Sequence, residues 1–142
     1  MLLEFGGNNH DYRSPERLVS LVEFKQHLER FRRELPAATR VAVITFPPIL
    51  DELHCYTPLH MIELEVQGGL DRAMESHREM TRWFARTNGF PLIDLDRMIR
   101  ERWETEGRLH YTLPDGVHLS PAGNQLLAGA VLDALLSHGL RP

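Results

Sequence analysis

Three short apolar runs punctuate the chain and read as strands covered on both faces: Leu2 to Phe5, the stretch RVAVITF from Arg40 to Phe46, and PLIDL from Pro91 to Leu95. Helical patterns lie between and after them. In SPERLVSLVEFKQHLERFRREL, Ser14 reads as the N-cap and Pro15 as the first helical residue, with Leu18, Leu21, Val22, Leu28, Phe31 and Leu35 along one stripe. In LDRAMESHREMTRWFARTNG, Leu70, Ala73, Met74, His77, Met80 and Phe84 share a face, and Asn88-Gly89 supplies a left-handed stop. A shorter helix is expected over Asp96 to Glu104. The last helix starts at Ser120-Pro121, carries Leu126, Leu127, Ala130, Val131, Ala134 and Leu135, and ends before Gly139.

This alternation predicts an open α/β sandwich around a parallel sheet. The stretch PPILDELHCYTPLHMIELEVQGG, from Pro47 to Gly69, follows neither period and reads as a long loop of the kind that forms lids or binding segments. Its apolar members Phe46, Ile49, Leu50, Leu53, Tyr56 and Met61 are candidates for lining an acyl or alcohol pocket. At 142 residues the chain is expected to form one domain.

Composition narrows the partners. The net charge is −4 with acids and bases mixed, so the electrostatic footprint of a nucleic-acid binder is absent. No apolar run reaches the length of a membrane span, and the start lacks the basic region of a secretory signal, so the chain reads as cytoplasmic. A single cysteine, Cys55, rules out an internal disulfide. His54, Cys55 and His60 match no familiar zinc spacing, and no metal site is expected. Cys55 has equally little to recommend it as a nucleophile, because nothing in the sequence places it beside a base. Trp83 and Trp103 read as packing groups, His77 as a satisfied half-buried residue, and ERFRREL as a solvated helix face.

Two polar constellations carry candidate chemistry. In DGVHLSPAG, Asp115 and His118 are three residues apart in a glycine-containing loop. That spacing lets a carboxylate hold one imidazole nitrogen while the other points outward, the arrangement of an orienting acid and a general base. The plainer reading is a cap or a surface pair. In GGNNHD, after the first strand, Gly6 and Gly7 let the backbone turn sharply and Asn8 offers an amide donor to a developing oxyanion. The plainer reading there is a tight turn. Ligands of open α/β sheets bind beyond the carboxyl ends of the strands, where both constellations are expected to face one crevice.

Taken together and in this order, these blocks resemble the SGNH hydrolases, also called the GDSL esterase and lipase family. Gly6-Gly7-Asn8-Asn9 is similar to that family's third block, Gly-x-Asn-Asp, and Asp115-Gly116-Val117-His118 to its fifth, Asp-x-x-His. The resemblance implies a three-layer α/β/α sandwich with a parallel, flavodoxin-like sheet and an ester hydrolase acting through a Ser-His-Asp mechanism without a cofactor. By position, His118 would be the general base, Asp115 its orienting acid and Asn8 the oxyanion donor, with Gly7 and Asn9 beside the substrate. The family's Gly-Asp-Ser nucleophile block is not found, Asn9 stands where Asp is usual, and Asp11 resembles a further acid of one subgroup. Ser14 and Ser120 read as helix caps, and Ser20, Ser76 and Ser137 as helix surface or end.

The expectation is therefore the C-terminal part of such a domain, with the first strands missing and the chain inactive alone. Its substrate would be an acyl or acetyl ester of a small molecule or carbohydrate. The alternative is a non-catalytic α/β module that pairs through its exposed first strand, with a partner or as a homodimer.

Overall fold

The computed structural model describes residues 1–10, 15–55 and 58–137, without the side chains of residues 15 and 58–60. Three parallel strands, β1 (Leu2–Glu4), β2 (Ala42–Ile44) and β3 (Leu92–Ile93), form a sheet in the order β1-β2-β3. Leu3 pairs with Val43 and Ile44 with Ile93. β2 is central and buried throughout, which is why its residues are apolar without alternation.

Helices cover both faces. On one, α1 (Leu21–Glu34) and α4 (Glu75–Asn88) close over Leu3, Val41 and Val43, with Phe24, Leu28, Phe84 and Ala85 completing the cluster. On the other, α5 (Leu95–Arg100) and α7 (Pro121–Ser137) pack against Ile44 and Ile93, with Tyr111 and Ile99 buried between them. The parallel sheet is as the alternation of elements predicts, and the three-layer α/β/α arrangement as the family resemblance implies. Gly89 closes α4 in the left-handed conformation at φ 65°, as Asn88-Gly89 implied.

Two element boundaries differ from the sequence expectation. Pro15–Arg17 form only a short 3-10 turn, and α1 begins at Leu21. The cap is Ser20: its side chain accepts from the Glu23 N–H, while the Glu23 carboxylate accepts from the Ser20 N–H at 2.9 Å. This reciprocal capping box outcompetes the Ser14-Pro15 start, and Ser14 itself lies outside the described residues. Leu18 and Val22 are consequently exposed rather than on the apolar stripe, and Phe24 is buried in their place.

The stretch from Pro47 to Gly69 is the second difference, because it contains α2 (Pro58–Gln67). Of its described side chains Leu64 is buried, whereas Met61, Ile62 and Val66 are exposed. Its apolar residues therefore do not gather on one face, which hid the helix from a periodicity reading. The helix expected from Leu70 to Asn88 breaks at Met74 into α3 (Leu70–Ala73) and α4, and the one expected over Asp96 to Glu104 into α5 and α6 (Trp103–Glu106). Among the described residues, no helix is long and apolar enough to cross a membrane.

Candidate active site

The histidine block is presented on a narrow hairpin. Thr112 bridges Leu119 antiparallel, the Leu113 N–H donates to the His118 carbonyl at 2.7 Å, and the Ser120 N–H donates to the Tyr111 carbonyl at 3.0 Å. Gly116 makes the tip possible, with φ at 76°. Asp115 Oδ1 accepts from the Val117 and His118 N–H groups at 2.9 and 3.0 Å, and its Oδ2 lies 2.7 Å from His118 Nδ1. The two backbone donors and then the imidazole hold the Asp115 carboxyl down at about 2. With Nδ1 donating to that carboxylate, His118 Nε2 carries the lone pair and has no protein partner among the described residues. The following helix is fastened by Ser120, whose hydroxyl donates to the His110 carbonyl at 2.6 Å and accepts from the Gly123 N–H at 3.1 Å. Ser120 is thus a cap, as its place before Pro121 implied.

The asparagine block leaves the carboxyl end of β1 through Gly6, at φ 113°, in a turn closed by the Asn9 N–H on the Gly6 carbonyl at 3.0 Å. Phe46 lies directly on Gly7, so that a β-carbon there would overlap the ring. Asn8 is exposed, while the Nδ2 of Asn9 is buried with no hydrogen-bond partner among the described residues. The Asn9 carbonyl accepts from the Val19 N–H at 3.0 Å; the Val19 carbonyl in turn lies 3.1 Å from His77 Nε2, and His77 Nδ1 lies 3.3 Å from His10 Nε2. His77 is satisfied as expected, but fully buried where a half-buried residue was expected. Burial, then the facing His77, pushes His10 down to about 4, and burial lowers His77. Asp11 lies outside the described residues.

Both blocks open into one cleft of about 580 Å³. Gly7, Asn8 and Asn9 line it from the β1 side and His118 from the hairpin, with Ile44, Phe46, Leu95 and Leu127 among its apolar walls. Of the loop residues expected to line a pocket, Phe46 does so. Ile49 and Leu50 are instead buried, Ile49 in a cluster with Leu64, Leu70 and Met74 under α2. Met61 is exposed on α2, Cys55 is exposed, and Tyr56 and the side chain of His60 lie outside the described residues.

A largely buried ion-pair network around Arg82 carries no local signal in the sequence. Arg82 grips Asp94 with two hydrogen bonds of 2.9 and 3.0 Å and Asp96 with one of 2.8 Å, and Arg100 joins Asp96 to Asp71. Burial alone would raise the Asp71 and Asp94 carboxyls, but the guanidinium groups beside them hold both below their ordinary value. The bonds to Asp94 lead in raising Arg82 further.

Among the described residues, none of the serines hydrogen-bonds His118: Ser20 and Ser120 cap helices, Ser76 lies in α4 and Ser137 ends α7. The parallel sheet thus carries the asparagine turn at one strand end and the Asp-His hairpin on the same cleft. The GDSL-like lipase/acylhydrolase family model matches residues 1–131, and the chain belongs to that family. A lipase/acylhydrolase from Enterococcus faecalis has a similar structure, with a TM-score of 0.72 and 18% identity over 96% of this chain and 60% of that one. LAE5, an alpha/beta hydrolase enzyme from the metagenome of Lake Arreo, Spain, follows with a TM-score of 0.68 and 19% identity over 94% and 57%. The chain thus spans 60% and 57% of the length of these two structures. No curated protein matches it by sequence.

Proposed function

We propose that this chain carries the base and oxyanion side of a serine ester-hydrolase site. His118 takes the proton of an attacking hydroxyl through Nε2, Asp115 steadies the imidazolium through Nδ1, and Asn8 donates to the oxyanion of the tetrahedral intermediate. The observation that supports this reading is the meeting of Asn8 and His118 in one cleft from opposite ends of the sequence, with Asp115 already 2.7 Å from the inner imidazole nitrogen. The substrate is an acyl or acetyl ester, whose acyl group the apolar walls of the cleft accept. β1 is the edge strand of the described sheet, with Leu2 and Phe5 exposed, and in this reading none of the described serines supplies the attacking hydroxyl. Turnover of short-chain nitrophenyl esters by the protein from its native source, compared with a His118→Ala variant, tests it. Loss of turnover in the variant is expected; equal turnover contradicts the assignment.

The free β1 edge also supports a second reading, in which a second copy pairs there and the chain acts as a non-catalytic module. Leu2 is exposed and Leu3 is buried, so Leu2→Lys is the informative change. A dimer in sedimentation that Leu2→Lys dissociates favours this reading; a monomer at all concentrations contradicts it.

A further inference from the structure

We propose that Arg78 is the positioning residue that sets the distance between the two halves of the site, an inference that rests on the ester-hydrolase reading. Its sequence context, between Glu75 and Glu79 on a helix, suggests a solvated charge. Its side chain is instead 0% exposed. The guanidinium donates to three main-chain carbonyls: Nε to Phe46 at 3.1 Å, Nη2 to Pro47 at 3.0 Å and Nη1 to Asp71 at 2.9 Å. Asp71 Oδ1 at 2.7 Å, Glu75 Oε2 at 3.2 Å and Asp96 Oδ1 at 3.3 Å balance its charge. A planar fork held on so many sides has one orientation, which a flexible ammonium could not reproduce.

Two of these carbonyls, those of Phe46 and Pro47, belong to the chain leaving β2, where Pro47 and Pro48 have no N–H with which to fasten the backbone. The next N–H, that of Ile49, donates at 2.8 Å to Asp71 Oδ1, the same carboxylate oxygen that Arg78 binds. Residues 46–49 are therefore tied to α3 and α4 through Arg78 and Asp71. Each end of this segment touches one half of the site. Phe46 lies on Gly7, next to Asn8, and the Leu50 N–H donates at 2.8 Å to the carbonyl of Gly116, between Asp115 and His118. Moving the guanidinium moves both contacts, and with them the oxyanion donor relative to the base.

The test is Arg78→Lys in the 142-residue chain, which keeps the charge but loses the fork. We expect the amide resonances of Gly7 and Asn8 to shift together with those of Gly116 and His118 in a protein that still unfolds cooperatively. In the ester-cleaving protein, kcat should fall by about a hundredfold with KM little changed, the order expected for a misplacement of about 1 Å. A folded variant with both sets of resonances unchanged overturns the proposal. Should Arg78→Lys not fold, Phe46→Leu cuts one arm only: it should shift Gly7 and Asn8 and leave His118 in place, and unchanged Gly7 and Asn8 resonances overturn the proposal equally. The resonance measurements need no turnover, so a wild-type protein that cleaves no ester refutes the ester-hydrolase reading while the positioning claim is still decided.

Discussion

Replacing Gly116 by Ala should destabilise the protein more than replacing Gly107, although both glycines sit at positive φ, 76° and 86° respectively. Each substitution forces an L-residue to a positive φ, at about 1–3 kcal/mol. At Gly107 that is the whole effect, because a β-carbon would have no neighbour within 4 Å. At Gly116 the added carbon would stand 2.5 Å from the Leu50 carbonyl oxygen, 3.0 Å from Leu53 Cβ and 3.2 Å from the His54 nitrogen. Two of these are backbone atoms that no rotamer change can withdraw, so the hairpin tip and residues 50–54 must separate, at about 1–3 kcal/mol for overpacking. The separation also stretches the 2.8 Å bond from the Leu50 N–H to the Gly116 carbonyl. Gly116→Ala is therefore expected to cost about 2–6 kcal/mol against about 1–3 kcal/mol for Gly107→Ala. Urea unfolding followed by circular dichroism measures both, with equal m-values as the check that the unfolded states are comparable. Equal costs for the two variants would refute the claim that the Asp-His hairpin is braced by residues 50–54.

Further expectations concern acid and capping. The Asp115 carboxyl, held at about 2 against an ordinary 3.8, contributes stability that is present above pH 3.8 and lost as pH falls through about 2; a carbon-detected titration with a midpoint near 3.8 would contradict the hairpin hydrogen bonds. The buried His10–His77 contact works in the opposite sense to a salt-bridged histidine, since folding favours the neutral rings. Stability should be full above 6.5 and decline as pH falls toward about 4. The urea midpoint should therefore drop between pH 7 and pH 5 in the wild type and less so in His77→Gln; a flat wild-type midpoint would refute it. Ser120→Ala, which leaves the Gly123 N–H without its acceptor and the His110 carbonyl without its donor, should cost about 1–2 kcal/mol by thermal or chemical unfolding.

What the sequence disclosed follows from how local each signal is. Ser120-Pro121 and Asn88-Gly89 mark helix ends because capping depends on a few adjacent residues, and both act as read. The Asp115–His118 pair was equally legible, since three residues of separation suffice to bring carboxylate and imidazole together. Its approach to Asn8 was legible only through topology: parallel strands deliver their loops to the same rim. The start of α1 misled because Ser14-Pro15 and Ser20-x-x-Glu23 both carry start signals, and only the second completes a reciprocal pair of hydrogen bonds. Arg78 and Arg82 could not be read at all. Charged residues on a helix between glutamates look solvated, and their partners lie on the segment leaving β2, on α3 and beyond β3, brought near only by folding.

The central claim is that His118, Asp115 and Asn8 serve one hydrolytic reaction. Its most direct test is the kcat for a short-chain acyl ester measured on the natively isolated protein beside its His118→Ala variant. Turnover is expected to fall by about 10⁶-fold, the scale at which removing the base disables such a triad. A variant that cleaves the ester as fast as the wild type would contradict it.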